Sequence, residues 1–179
     1  LNIWKALSEG GNWQGEIWNR RKSGDIYLEW ISISAVRDDD GDIVNYVGSS
    51  IDISRMKHAQ SELERLAHHD GLTDLPNRLL LVSRLDHAIA GARRHAGMGA
   101  VLFIDLDRFK PINDRLGHRV GDLVLEEVAR RLGSVSRGAD IVARLGGDEF
   151  VVVAPGVGPG IADDLRCRLM STLNRPAAI

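Results

Sequence analysis

Residues 144–153 read RLGGDEFVVV: two glycines, then two acids, with apolar residues on either side. IVARL and FVVV flank the tetrapeptide, and the pattern predicts a buried hairpin with two neighbouring negative charges at its tip. Asp148 and Glu149 repel each other, so their proximity calls for a compensating partner. Upstream, VLFIDLD reads as a second buried strand, and it stops on Asp105 and Asp107. A carboxylate beside apolar neighbours is costly unless it is paired or coordinated to a metal. If the two strands are neighbours, Asp105 and Asp148 converge, and a hard divalent cation satisfies both. Magnesium suits such a site, because it takes one or two carboxylates and shares its remaining positions with substrate phosphates. Gly146 and Gly147 leave their backbone open to close approach by a phosphate. On the residues alone, a plain solvated hairpin turn remains the alternative.

Outward from this stretch the chain alternates helix and strand. DGLTDLPNR, residues 70–78, is polar and turn-rich and reads as a domain entry. Leu79, Leu80, Leu85, Ala88, Ile89 and Ala92 predict a helical face ending near Gly97. Leu116, Val120, Leu123, Val124, Val128 and Leu132 predict a second amphipathic helix, and Ile161, Leu165, Leu169 and Leu173 a third. The order helix, strand, helix, hairpin, helix predicts an α+β domain with helices packed on an antiparallel sheet.

The N-terminal part differs. All four tryptophans (Trp4, Trp13, Trp18, Trp30) fall within its first 30 residues, a shift that suggests two units. From Gly15 to Ile53 the pattern gives three antiparallel strands around the turns KSGD and DDDGD, too little alone to close a core. In residues 54–69, Met56, Ala59, Leu63 and Leu66 recur at spacings of three and four among charges. They predict a helix with a narrow seam, suited either to another helix or to its own domain.

Composition bounds the function. The chain has 179 residues, 44% hydrophobic and 27% charged, with a net charge of -2, which gives no reason to expect a nucleic-acid partner. The pairs Arg93-Arg94 and Arg130-Arg131 read as solvated helix faces. The single cysteine, Cys167, permits no internal disulfide and fits a reducing, cytoplasmic compartment. No apolar run approaches the roughly 20 residues that a membrane-spanning helix needs. The chain opens on Leu rather than Met and reads as a piece of something longer, so membrane attachment through a preceding segment stays open. His58, His68, His69, His87 and His95 show no zinc-ligand spacing.

RLGGDEF, together with DGLTDLPNR and FIDLDRFKPINDRLGHRVGD in the same order and spacing, closely resembles the GGDEF family of diguanylate cyclases. The resemblance covers most of residues 70–153 and implies a palm-like α+β fold related to nucleotidyl cyclases and polymerases. It implies an activity that joins two GTP molecules into cyclic di-GMP, with two domains meeting as a homodimer. Asp105 and Asp148 match the family's metal-binding acids, with the Leu106 carbonyl as a further ligand for magnesium, or manganese in its place. Glu149 matches the residue acting beside the 3′-hydroxyl or the metal. Lys110 matches the contact to the terminal phosphates, helped by the backbone at Arg108 and Phe109. Asn113 and Asp122 match the guanine readers, and a carboxylate can accept from the N1 and N2 donors of guanine, which adenine lacks. On the residues alone, Asn113 could instead cap a helix that begins there. Asp107 reads as structural and His118 as a turn residue. Arg137-Gly-Ala-Asp140 matches the family's inhibitory motif for the product, although Arg-x-x-Asp is by itself an ordinary ion-pair pattern.

Residues 1–53 resemble the C-terminal (PAC) half of a PAS sensor domain, residues 54–69 a signalling linker helix, and 70–179 the cyclase domain. Relative to the family pattern, the chain ends before a further strand, helix and basic phosphate-binding pair. Its last stretch faintly resembles cyclase domains that precede an EAL phosphodiesterase domain. The alternative to a cyclase is therefore a module that binds GTP or cyclic di-GMP to regulate an attached domain.

Overall fold

The computed structural model describes residues 3–176, and the chain divides into two compact units, Leu1–Leu63 and Glu64–Ile179. In the first, a short helix α1 (Ile3–Gly10) leads into strands β1 (Asn12–Arg20), β2 (Ile26–Arg37) and β3 (Ile43–Asp52), an antiparallel sheet in that order. The two turns lie where the sequence puts them. Gly24 and Gly41 take φ of +98° and +89°, which glycine adopts without strain. Asp38 Oδ1 accepts from the backbone N–H of Asp40 (3.2 Å) and Asp42 (2.8 Å), the local bonding that makes aspartate a turn former. The sequence reading gave no helix before Gly15. α1 forms there because it can bury Leu7 completely. The helix α2 (Ser54–His68) begins where Ser54 N donates to Asp52 Oδ1 (2.9 Å) and Ser54 Oγ accepts from Leu28 N (3.0 Å). Its seam residues Met56, Leu63 and Leu66 are exposed.

The second unit contains α3 (Arg78–Arg94), β4 (Gly99–Asp105), α4 (Phe109–Leu116), α5 (His118–Val135), β5 (Ile141–Gly146), β6 (Glu149–Pro155) and α6 (Pro159–Leu173). Its antiparallel sheet has the order β4-β6-β5, so β6 is the central strand. That position explains FVVV: residues 150–154 are all buried, and alternate residues serve opposite faces. Phe150, Val152 and Ala154 pack with Leu125, Leu132, Leu165 and Leu169 of α5 and α6. Val151 and Val153 pack with Ile141, Ala143 and Leu81 on the α3 side.

Three expectations are corrected. The second predicted helix is two helices, α4 and α5, broken at Gly117 with φ +85°. Leu116 lies before the break and is exposed, whereas Leu132 is fully buried. On α3 the buried residue is Leu81, seconded by Leu85, while Leu79 and Ile89 are exposed. The run RLLLV is apolar nearly all round, so its periodicity does not fix which side meets the sheet. Arg131 is buried rather than solvated: it donates to the carbonyls of Thr172, Leu173, Arg175 and Pro176 and so satisfies the open end of α6.

Leu132→Ala should destabilise the second unit by about 2–5 kcal/mol, and Leu116→Ala by less than about 0.5 kcal/mol. Urea unfolding of the two variants side by side tests this ranking.

Candidate active site

Two strand ends and one turn build the site. β4 and β6 pair antiparallel with Asp105 directly opposite Glu149. Paired residues share a face, so these two carboxylates leave the same side of the sheet edge. Asp148 is the preceding residue in the β5–β6 turn. Gly146 and Gly147 take φ of +140° and +54°, and a Cβ at either would meet nothing within 4 Å. The glycines are required by backbone conformation there, not by crowding. The register of β5 on β6 shifts between Arg144 and Gly146, and this irregularity opens the turn.

Asp105 and Glu149 are exposed and Asp148 is half-buried. None of the three has a hydrogen bond or ion pair to a side chain among the described residues. Asp105 lines two clefts. One, of about 340 Å³, has Arg78, Phe103, Leu145 and Glu149 on its walls. The other, of about 290 Å³, runs past Leu106, Asp107, Phe109, Glu127 and Arg131. Among the described residues, no three His, Cys, Asp or Glu side chains come together as a ready metal cage. The donors present are hard oxygens, few in number and without an ion pair among the described residues, with Arg78 on the wall of the same cleft. That set fits a magnesium ion, which keeps positions for water and phosphate, better than an all-protein calcium site.

The other predicted residues sit nearby in sequence but on different elements. Arg108 has left-handed backbone (φ 60°) and directly precedes α4. Phe109 is buried, and Lys110 in the first turn is exposed. The Leu106 carbonyl accepts from Phe109 N (3.2 Å) and holds this turn. Asn113 lies within α4, which begins at Phe109, so it is no cap. Its side chain rests on Gly121 of α5: a Cβ there would stand 1.9 Å from Asn113 Oδ1. Gly121 is buried, and the residue that follows it, Asp122, is exposed. Arg137 and Asp140 form a turn in which Asp140 Oδ2 accepts from the backbone N–H of Arg137 (2.8 Å). The Arg137 guanidinium has no side-chain partner among the described residues, so the ordinary ion-pair alternative is not what forms.

Sequence reasoning missed an anchor beneath the turn. Arg144 is buried and donates from Nη1 to Asp70 Oδ1 (2.8 Å), and from Nε (3.1 Å) and Nη2 (2.8 Å) to the carbonyl of Gly147. The same Asp70 oxygen accepts from Thr73 N (2.9 Å) and Thr73 Oγ1 (2.7 Å). Burial pushes the Asp70 carboxyl upward, but the bonds from Thr73 and Arg144 outweigh it and hold the carboxyl below its ordinary value. The signal was available: an arginine in the apolar run IVARL needs a buried partner.

The description "Diguanylate cyclase, GGDEF domain" matches residues 67–178. Diguanylate cyclase TpbB of Pseudomonas aeruginosa is 50% identical over 113 residues, covering 63% of this chain and 26% of TpbB. The bifunctional diguanylate cyclase/cyclic di-GMP phosphodiesterase MucR of the same species is 46% identical over 131 residues, covering 73% of this chain and 19% of MucR. The solved coiled coil and GGDEF domain of DgcB from Caulobacter crescentus, in complex with c-di-GMP, superposes with a TM-score of 0.61 at 31% identity. The superposition covers 65% of this chain and 61% of that one. The chain thus spans about a quarter or less of the length of these curated relatives.

Because the Asp70 carboxyl is held low in the folded chain, its stabilisation is fully present above the ordinary carboxylate range and fades as pH falls through the folded value. Asp70→Asn should cost about 1 kcal/mol or more at pH 7, and its melting-temperature gap to the wild type should close toward pH 3. Thermal unfolding across that pH range is the check.

Proposed function

The chain belongs to the GGDEF family of diguanylate cyclase domains, and from that premise we propose that it condenses two GTP molecules into cyclic di-GMP. The observation that carries this reading is Asp105 paired across the strands with Glu149, with Asp148 in the adjoining glycine turn and no ion pair to any of the three among the described residues. Unbalanced negative charge beside a glycine turn is suited to holding a cation with a phosphate on it. Asp105, Asp148 and the Leu106 carbonyl are the groups that would hold magnesium, or manganese in its place. A cation bound there supplies charge stabilisation at the α-phosphate and an acidified 3′-hydroxyl.

The chain's own residues do the rest in this reading. Lys110, with the backbone at Arg108 and Phe109, holds the terminal phosphates. Asn113 and Asp122 read guanine, a polar discrimination worth about 1–3 kcal/mol per good contact by analogy with base readout in nucleic acids. Glu149, beside Asp148 and with no side-chain hydrogen bond or ion pair among the described residues, is suited to take up the 3′-hydroxyl proton. Each of two bond-forming steps joins a 3′-oxygen to an α-phosphorus and breaks the bond to the β-phosphate, so two pyrophosphates leave. Each domain carries one nucleotide, so catalysis needs a homodimer with the two sites facing. Arg137, whose guanidinium has no side-chain partner among the described residues, and Asp140 form the inhibitory site for cyclic di-GMP, an arginine being suited to both phosphate contact and base stacking.

In the same reading the sheet β1–β3 belongs to a PAS/PAC sensor in the cytoplasm, and α2 passes its state to the cyclase. Three antiparallel strands leading directly into a helix support that assignment. The similarity to the cyclic di-GMP phosphodiesterase NbdA of Pseudomonas aeruginosa, 39% identical over 127 residues (71% of this chain and 16% of NbdA), favours a second reading, in which this domain binds GTP or product to regulate an attached phosphodiesterase.

Incubation of the protein at its natural length with GTP and magnesium, followed by chromatography, should yield cyclic di-GMP. Asp148→Ala should cut the rate about a hundredfold or more. GTP bound but never converted would leave the regulatory reading. Arg137→Ala should shift the product-inhibition curve to higher cyclic di-GMP by about tenfold or more, one bidentate charged contact being worth at least 1.4 kcal/mol.

A further inference from the structure

We infer that Arg144 is a positioning residue for this reaction, anchored by Asp70, and that it sets the direction in which Asp148 leaves the signature turn. The inference rests on the cyclase reading above.

The argument begins with the peptide plane. The carbonyl oxygen of Gly147 is coplanar with the nitrogen and Cα of Asp148, because the peptide bond between them does not rotate. Whatever fixes that oxygen fixes the start of the Asp148 residue. Two guanidinium nitrogens of Arg144 converge on it, Nε at 3.1 Å and Nη2 at 2.8 Å. Gly147 itself has φ of +54° and no side chain, so nothing else of its own restrains the plane. The fork of the guanidinium is rigid, and its other branch is held by Asp70 at 2.8 Å. The Arg144 backbone N–H is fixed too, by the carbonyl of Pro76 (3.0 Å).

Asp70 and Pro76 belong to one short segment fastened to the last turn of α2. Asn77 Nδ2 donates to the carbonyl of Ala67 (2.9 Å), and Asn77 N to that of His68 (2.9 Å). Arg65 pairs with Asp74 at 2.9 Å. A continuous set of bonds therefore runs from the end of α2, through Asp70 and Arg144, to the peptide that carries Asp148. The groups assigned to hold guanine and the terminal phosphates lie on α4 and α5 or just before them, and none bonds to Arg144. Loosening this latch should therefore slow the chemical step while leaving GTP binding in place.

The test uses Arg144→Lys, which keeps the charge and loses the fork, Asp70→Asn, which keeps the shape and loses the charge, and the double variant. Steady-state turnover is measured well below each variant's melting temperature. Each single variant should lower kcat about tenfold or more, with KM for GTP within about twofold, and the double variant should be no worse than the poorer single one. Unchanged kcat, a loss confined to KM, or additive losses would overturn the assignment. Should Arg144→Lys fail to fold, Asp70→Asn carries the same measurements. If the wild type itself makes no cyclic di-GMP, the cyclase reading is what fails. The positioning role is then decided by amide exchange: Asp148 N–H should exchange about tenfold faster in either variant with the β6 amides unchanged, and equal rates would reject it.

Discussion

The second unit depends on β6 being central and buried on both sides. A strand in that position can carry no polar side chain along its length, because every residue faces either α5 and α6 or α3. Its polar residues are therefore forced to its ends. At the end that meets β5, the chain must turn sharply and return to solvent, and Gly146 and Gly147 provide the backbone for it. Antiparallel pairing with β4 then brings the acidic end of that strand level with the turn. The facing of Asp105 and Glu149 follows from the sheet order rather than from any attraction between them.

Charge is distributed unequally between structure and site. Several arginines are committed to ion pairs, within one helix or between distant segments. Arg131 and Arg130 bond Glu127, whose carboxyl is held down to about 2, and Arg144 bonds Asp70. Asp105, Asp148 and Glu149 receive none of this compensation among the described residues. Asp148 is half-buried without such a partner, whereas Asp105 and Glu149 are exposed and their charge is solvated by water. Arg144 serves the same arrangement from below: it neutralises Asp70, not Asp148, while touching the turn that holds Asp148.

Much of this was legible along the chain. The hairpin, the acid-terminated strand and the turns at Gly24 and Gly41 follow from residue types with strong local preferences, read over a few positions. The rotation of α3 was not legible, since Leu79, Leu80 and Leu81 are equally apolar and only the sheet selects Leu81. The break at Gly117 was hidden because apolar residues continue through it at helical spacing. Arg131 looked like half of a solvated basic pair, and its burial depends on the carbonyls of α6, 41 to 45 residues away.

The sequence by itself determined which residues could do chemistry: the two acid-bearing strand ends, the glycine pair, and the motif order that identifies the family. Residue type and near spacing suffice for that, because they set backbone preference and available functional groups. Tertiary structure alone decided that Asp105 stands across from Glu149, that Asn113 leans on Gly121, and that Asp70 holds Arg144 from 74 positions away. Those facts depend on strand order and register, which arise when distant segments compete to bury the same apolar surface, and no local stretch of chain contains that competition.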